Sequence, residues 1–75
     1  MTKRSYTVIY EADPDGGFVV SVPALPGCYS QGDTLAVAKK NIIEAIELYL
    51  EDLQSDHQQI PTEKQISQGR VEVMV

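Results

Sequence analysis

The residue types that most often carry catalysis are scarce in this chain. Its 75 residues include one cysteine, Cys28, and one histidine, His57. A thiol nucleophile needs a neighbouring base, and the only histidine is expected in the loop after a helix, opposite the wrong end of the sheet. We therefore interpret Cys28 as a buried core thiol and His57 as a solvated residue near a helix C-terminus. The sequence predicts no catalytic residue and no phosphate-binding glycine loop.

Two groups of carboxylates have spacings that divalent metals use. Asp13 and Asp15 alternate as at the start of a calcium loop, but the residues after Gly17 are apolar, so the sequence favours a turn. Glu44, Glu47 and Glu51 share one face of a predicted helix. Carboxylates that converge in this way can bind a metal for phosphodiester hydrolysis. These three, however, lie on the face of the predicted helix opposite its apolar residues, and so point into solvent. We expect no metal and no cofactor, and a metal-dependent nuclease is kept as the weaker alternative.

The same three glutamates have two non-catalytic interpretations. They belong either to an ordinary solvated helix face or to a surface that meets a cationic partner. Asp52 and Asp56 add negative charge at the helix C-terminus, where the helix dipole disfavours it. Six Lys and Arg residues against eleven Asp and Glu give a net charge of -5. This charge opposes direct binding to nucleic acid, and it favours either plain solubility or a basic protein partner.

Size and composition bound the remaining possibilities. A chain of 75 residues is expected to be one domain, 1-75, whose small core needs support. A lone cysteine excludes an internal disulfide and suits a reducing compartment, so self-association is the expected support. The chain has no apolar run long enough for a membrane span and no signal peptide. We expect a cytoplasmic protein.

The periodicity predicts an α+β domain with the element order β-β-β-α-β. Strands are expected at "SYTVIYE" (5–11), "FVVSV" (18–22), "CYSQ" (28–31) and "RVEVMV" (70–75), because apolar and polar residues alternate there. Apolar residues spaced by three and four predict a helix from about Leu35 to about Gln54. One helix then packs on one face of a mostly antiparallel sheet. The faces and edges that stay uncovered predict a homo-oligomer, a dimer or a tetramer.

The connections have clear turn chemistry. Gly16 and Gly17 suit the hairpin loop, because glycine accepts a positive φ. Pro23, Pro26 and Gly27 end the second strand and steer the chain into the third. Either Asp33 or Thr34 is expected to cap the helix. We interpret all of these residues as structural turn and cap positions.

The combination of these segments resembles the HicB-type antitoxin domain over nearly the whole chain. The matching features are "DGG" at 15–17, "VPALPGC" at 22–28, "QGDTL" at 31–35, "LYLED" at 48–52 and "IP" at 60–61. The resemblance implies a partial ribonuclease-H-like fold without catalysis. It also implies that the domain oligomerises and neutralises a small basic toxin of the HicA type, a ribonuclease that cleaves messenger RNA.

The resemblance is to a short form of that family. Longer members continue into a domain that binds the operator, and this sequence stops at Val75, so we expect no direct DNA binding by this chain alone. Glu44, Glu47 and Glu51 are the predicted toxin contacts. The alternative is an orphan member that acts as an oligomeric scaffold or a small-ligand sensor without a toxin.

Overall fold

A computed structural model describes residues 3–75, and it contains a three-stranded antiparallel sheet and one long helix. The strands are β1 (Ile9–Ala12), β2 (Phe18–Ser21) and β3 (Tyr29–Gly32), and they lie in the order β1-β2-β3. The helix α1 spans Leu35–Ser55. The predicted α+β class, the first three strands and the helix are confirmed.

The hairpin between β1 and β2 closes through a tight loop. The amide of Gly16 donates to the carbonyl of Asp13, and the amide of Asp13 donates to the carbonyl of Gly17, each at 2.9 Å. Gly16 and Gly17 have φ angles of 105° and 77°, which side chains rarely tolerate. The carboxylate of Asp13 accepts a 2.9 Å bond from the amide of Asp15. This carboxylate therefore holds the turn itself together.

The bridge between β2 and β3, residues 22–28, is a compact loop that inserts a side chain into the core. The amide of Val22 donates to the carbonyl of Cys28 at 3.1 Å and so closes the loop. Within it, Leu25 is fully buried. Pro23 and Pro26 are exposed, and Gly27 has a φ of 82°. The bridge thus contributes to the core as well as reversing the chain.

The helix begins at a side-chain cap. Thr34 has extended backbone angles, and its hydroxyl accepts a 3.1 Å hydrogen bond from the amide of Val37. This satisfies one of the amides that a helix start leaves free. The neighbouring Asp33 is exposed and is not the capping residue.

The core lies between α1, β2 and the bridge. Its buried residues are Val20, Val22, Leu25, Cys28, Ala38 and Ile42. Tyr10, Val20 and Ser30 are paired across the sheet, so they share the face that α1 covers. Further along the helix, Ala45, Ile46, Tyr49 and Leu50 pack against this cluster while staying partly exposed. Leu35, the first residue of the helix, is exposed.

Two strand predictions need correction. Residues 5–8 precede β1 without joining the sheet, because β2 ends at Ser21 and the bridge then leads the chain away. Residues 70–75 form no strand in the described chain, so the sheet has three strands and not four. A strand requires a neighbour for its backbone groups, and no segment among residues 3–75 pairs with this one.

Candidate partner-binding surface

The outer face of the helix carries the three predicted contact residues. Glu44, Glu47 and Glu51 are all exposed and lie three and four residues apart. Carboxylates at these spacings repel each other by a few tenths of a kcal/mol per pair. We call this set the acidic row. Its members are free to meet a partner, and a cationic partner would relieve the repulsion.

The helix end next to the acidic row is also negative. Its last turn contains no basic residue, while Asp52 and Asp56 are exposed nearby. The C-terminal end of a helix already carries partial negative charge. This half of the helix therefore favours contact with a cation.

Apolar side chains lie among these charges. Leu48 is 61% exposed and Ile43 is 47% exposed. Exposed leucine and isoleucine on one helix, interleaved with carboxylates, form a surface with the mixed composition typical of transient protein interfaces. The outer helix face can thus offer both apolar contact and charge.

An open groove runs beside this face. It has a volume of about 980 Å³ and lies between the chain before and within β1, the helix, and Ile60. Its apolar lining consists of Tyr6, Val8, Tyr10, Ile42, Ile43, Ile46, Leu50 and Ile60. Its lining also includes the charged residues Glu47, Glu51, Arg4 and Lys39. Two members of the acidic row therefore border an apolar groove, a relationship that the sequence alone did not predict. We call this cavity the edge groove.

The cysteine and histidine weighed for catalysis do not line the edge groove. Cys28 is a buried free thiol in the core, and burial raises its pKa. A raised pKa keeps the thiol protonated near neutral pH and makes it a poor nucleophile. His57 is exposed just beyond the helix. Among residues 3–75, no group of three or more His, Cys, Asp or Glu residues is placed to hold a metal ion.

The segment after the helix is held against the chain that precedes β1. The hydroxyl of Tyr6 donates to the carbonyl of Pro61 at 2.7 Å. The amide and hydroxyl of Thr7 donate to the two carboxylate oxygens of Glu63 at 2.5 and 2.8 Å. These contacts fix one end of the edge groove.

In the part of the chain that the structure covers, no helix has the length and apolar character needed to span a bilayer.

Comparison with known proteins identifies relatives over most of the chain. Residues 6–73 match the family model described as "HicB_like antitoxin of bacterial toxin-antitoxin system". A UPF0150 protein of Synechocystis sp. is 52% identical over 59 residues, which cover 79% of this chain and 75% of that protein. A UPF0150 protein of Thermoplasma acidophilum is 54% identical over 56 residues, which cover 75% of this chain and 81% of that protein.

A longer relative occurs in a bacteriophage. An uncharacterized 14.9 kDa protein of Haemophilus phage HP1 is 43% identical over 63 residues, which cover 84% of this chain and 47% of the phage protein. The matched region in that protein is therefore about half of a larger chain.

Proposed function

Because the chain belongs to the HicB-like antitoxin family of bacterial toxin-antitoxin systems, we propose that it binds and neutralises a small basic toxin of the HicA type. Such a toxin is a ribonuclease that binds and cleaves messenger RNA. The chain acts as an antitoxin by covering the toxin's RNA-binding and catalytic surface. The family match over residues 6–73 is the observation that carries this proposal.

The charge distribution supports a cationic partner. The chain carries a net charge of -5, and the acidic row of Glu44, Glu47 and Glu51 is exposed on the helix. A toxin that binds RNA must present cations to phosphate. Carboxylates placed on those cations occupy the sites that RNA phosphates need, and charge complementarity of this kind also speeds association.

Apolar contact supplies the rest of the proposed interface. Stable interfaces have an apolar centre surrounded by polar groups, and charged pairs at an exposed rim contribute little by themselves. Leu48 lies among the acidic residues and is largely exposed. We place Leu48 at the centre of the toxin contact and the acidic row around it.

The proposed action is binding and not catalysis. The thiol of Cys28 is buried with a raised pKa, and His57 lies in the exposed turn after the helix. We propose no cofactor, and no direct contact of this chain with nucleic acid, in keeping with its negative charge.

The assembly around the toxin contact is also proposed. We propose that residues 1–75 act as one domain of the partial ribonuclease-H-like class, in the cytoplasm, and that the domain forms a homo-oligomer. The three-stranded sheet leaves two edge strands, β1 and β3, and unpaired edges favour association. An oligomer also presents more than one acidic row to its toxins.

Co-expression with a small basic toxin of the HicA type tests the proposal. The parent should co-purify with that protein at low salt and abolish its cleavage of RNA. A variant with Glu44→Gln, Glu47→Gln and Glu51→Gln should bind about 3- to 150-fold more weakly, because each exposed pair contributes about 0.2–1 kcal/mol. Raising the salt concentration should weaken the parent more than this variant.

A matched control separates the acidic row from net charge. Glu11→Gln, Asp15→Asn and Asp33→Asn remove the same charge from exposed positions off the helix and should leave affinity within about twofold. Equal weakening by both triple variants would refute the proposed contact. Absence of any complex at low salt, with RNA cleavage unchanged, would overturn the antitoxin function.

A further inference from the structure

The segment of residues 70–75, "RVEVMV", is an alternating apolar stretch that pairs with no strand among residues 3–75. Val71 is 89% exposed, Val73 76% and Met74 99%. The segment has no strand neighbour among the described residues. Apolar side chains that alternate along a chain are typical of a strand with one buried face. A stretch of this type left wholly in water is unfavourable, and it favours a contact that buries it. We call it the valine segment.

The edge groove is the place in the same molecule that such a segment fits. Its strand side is formed by residues 4–6, Val8 and Tyr10, so it lies beside the start of β1. Among residues 3–75, β1 pairs with β2 alone and is therefore an edge strand. Edge strands present free backbone donors and acceptors to an added strand. Beyond that edge, the groove is lined by apolar side chains of the helix, including Ile46 and Leu50, and of the chain that leads into β1, including Val8. It offers both backbone pairing and apolar burial.

The other free edge does not offer this combination. On β3, Tyr29 is exposed and Ser30 and Gly32 face the helix side. Gly32 lies directly against the first turn of the helix, and the cavity beside it is smaller, about 330 Å³, with Asp13, Gln31 and Asn41 in its lining. We therefore assign the added strand to the β1 edge.

The valine segment does not occupy the groove of its own chain. The hydrogen bonds of Tyr6 and Thr7 hold Pro61 and Glu63 near the start of the edge groove, but none of residues 64–75 lines it. The chain is also expanded. Its radius of gyration is 14.5 Å and its longest dimension is 47 Å, whereas a compact domain of this length has a radius of about 11 Å. The valine segment therefore projects outward, where a second molecule can receive it.

We propose that two copies of this chain exchange their valine segments, each adding a fourth strand to the β1 edge of the other and filling its edge groove. This inference rests on the self-association proposed above and specifies its contact. The exchange is reciprocal, so the two contacts are equivalent and the assembly closes as a symmetric dimer. Twelve residues, 64–75, follow Glu63, and they can span about 40 Å when extended, which is enough to reach a neighbouring molecule.

The pairing assigns a direction to each side chain of the segment. In a strand, successive side chains face opposite sides of the sheet. Val71, Val73 and Val75 then face the apolar groove beneath the helix, while Arg70, Glu72 and Met74 lie on the outer face. The apolar residues are the ones that this arrangement buries, and both charges of the segment remain in water.

Two adjacent substitutions test this arrangement. Val73→Asp places a charge in the groove, whereas Met74→Asp makes the same change on the outer face. By light scattering and analytical ultracentrifugation, the parent and Met74→Asp should be dimers with dissociation constants within about threefold of each other. Two variants, Val73→Asp and one lacking residues 70–75, should dimerise at least 100-fold more weakly than the parent. Both should remain helical by circular dichroism. Equal effects of the two substitutions, or a dimer that survives deletion of residues 70–75, would overturn the proposal.

Cross-linking identifies the occupant of the groove. In a Cys28→Ala background, one tagged copy carries Val8→Cys and a second, differently tagged copy carries Val73→Cys. A short bismaleimide should join the two tags, and Tyr29→Cys on the β3 edge should not replace Val8→Cys. A monomeric parent, or a Val8→Cys, Val73→Cys double variant that cross-links only within one chain, would overturn the exchange.

Toxin binding is measured on the same variants. If Val73→Asp is monomeric and still captures the toxin, the exchange is supported and the acidic row is independent of it. If the parent dimerises as proposed but binds no toxin, the antitoxin function fails while the exchange stands. If the parent is monomeric and the toxin itself cross-links to Val8→Cys, the groove belongs to the toxin and the exchange is overturned.

Discussion

The hydroxyl of Tyr49 donates a 3.0 Å hydrogen bond to the carbonyl oxygen of Pro26. This bond joins the middle of α1 to the bridge between β2 and β3, twenty-three residues earlier in the chain. Asn41 makes a second link of the same type, from its side-chain amide to the carbonyl of Gln31 at 2.7 Å. Side-chain donors of the helix therefore satisfy backbone carbonyls of the segment that precedes it.

Replacing Tyr49 by phenylalanine tests the link to the bridge. The ring stays and only the hydroxyl is lost. Tyr49→Phe should therefore lower the free energy of unfolding by about 0.5–1 kcal/mol, which is the lower part of the range for one hydrogen bond. The loss is small because water can reach the freed carbonyl. Urea unfolding at fixed protein concentration measures this loss. Tyr29→Phe is the control, since Tyr29 is mostly exposed, and it should leave the midpoint unchanged. Equal midpoints for Tyr49→Phe and the parent would show that the bond contributes nothing.

Gly32 sets the distance between β3 and the helix. A Cβ at this position would lie against the amide nitrogen of Ala38 and 2.8 Å from the carbonyl carbon of Val37. Both are backbone atoms of the first helical turns and cannot rotate away. Gly32→Ala should therefore destabilise the fold by at least about 1–3 kcal/mol, the usual cost of overpacking. Thermal unfolding should show a melting temperature lower by roughly 4–8 °C per kcal/mol.

Gly69→Ala is the matched control for Gly32→Ala. No atom lies within 4 Å of the Cβ that it would add, so its effect should stay within about 0.5 kcal/mol. A melting temperature for Gly32→Ala equal to that of Gly69→Ala would contradict the close approach of helix and sheet.

Cys28 gives the stability a pH dependence with a definite sign. Burial raises its pKa in the folded state, so folding favours the protonated thiol. The contribution of the protonated thiol to the free energy of unfolding is fully present below the pKa of an unfolded cysteine, about 8.5. It is lost as pH rises through the higher pKa of the folded state. The free energy of unfolding of the parent should therefore fall more steeply between pH 8 and pH 10 than that of Cys28→Ala. Denaturant titrations of both proteins across that range provide the measurement, and parallel curves would count against a buried thiol.

The sequence predicted the parts of the fold that depend on local patterns. Strand β2 is present where Phe18 and Val20 alternate with other residues. The helix is present where the helical spacing begins at Leu35, and Thr34 caps it. The burial of Cys28 also followed from its type and its setting. These features depend on neighbours in the chain, so one sequence is enough to indicate them.

Features that depend on distant segments were less accessible. Leu25 is fully buried, but it lies in a loop between two prolines, where no periodicity marks a core position. Residues 5–8 alternate like a strand and lack a neighbour because β2 is short. The valine segment has the correct pattern for a strand, yet pairing also requires an adjacent edge. The role of the acidic row in toxin binding stays a prediction, since exposure and charge are common to many helices.

The end of the helix contains a conformational strain that the sequence did not indicate. The amide of His57 donates to the carbonyl of Gln54 at 3.0 Å, and the amide of Gln58 donates to that of Leu53 at 2.8 Å, which is the Schellman pattern of helix termination. That motif places His57 in the left-handed region, with a φ of 57°, where glycine is usual.

Replacing this histidine by glycine should therefore stabilise the protein. A non-glycine residue is strained in the left-handed region by roughly 1–2 kcal/mol, and glycine's greater freedom in the unfolded chain offsets part of the gain. His57→Gly should raise the free energy of unfolding by about 0.5–1 kcal/mol in urea titrations at fixed protein concentration. Gln58→Gly, one residue further on and without a positive φ, should produce no such increase. A lower stability for His57→Gly than for the parent would mean that the exposed imidazole contributes more to this turn than its backbone geometry costs.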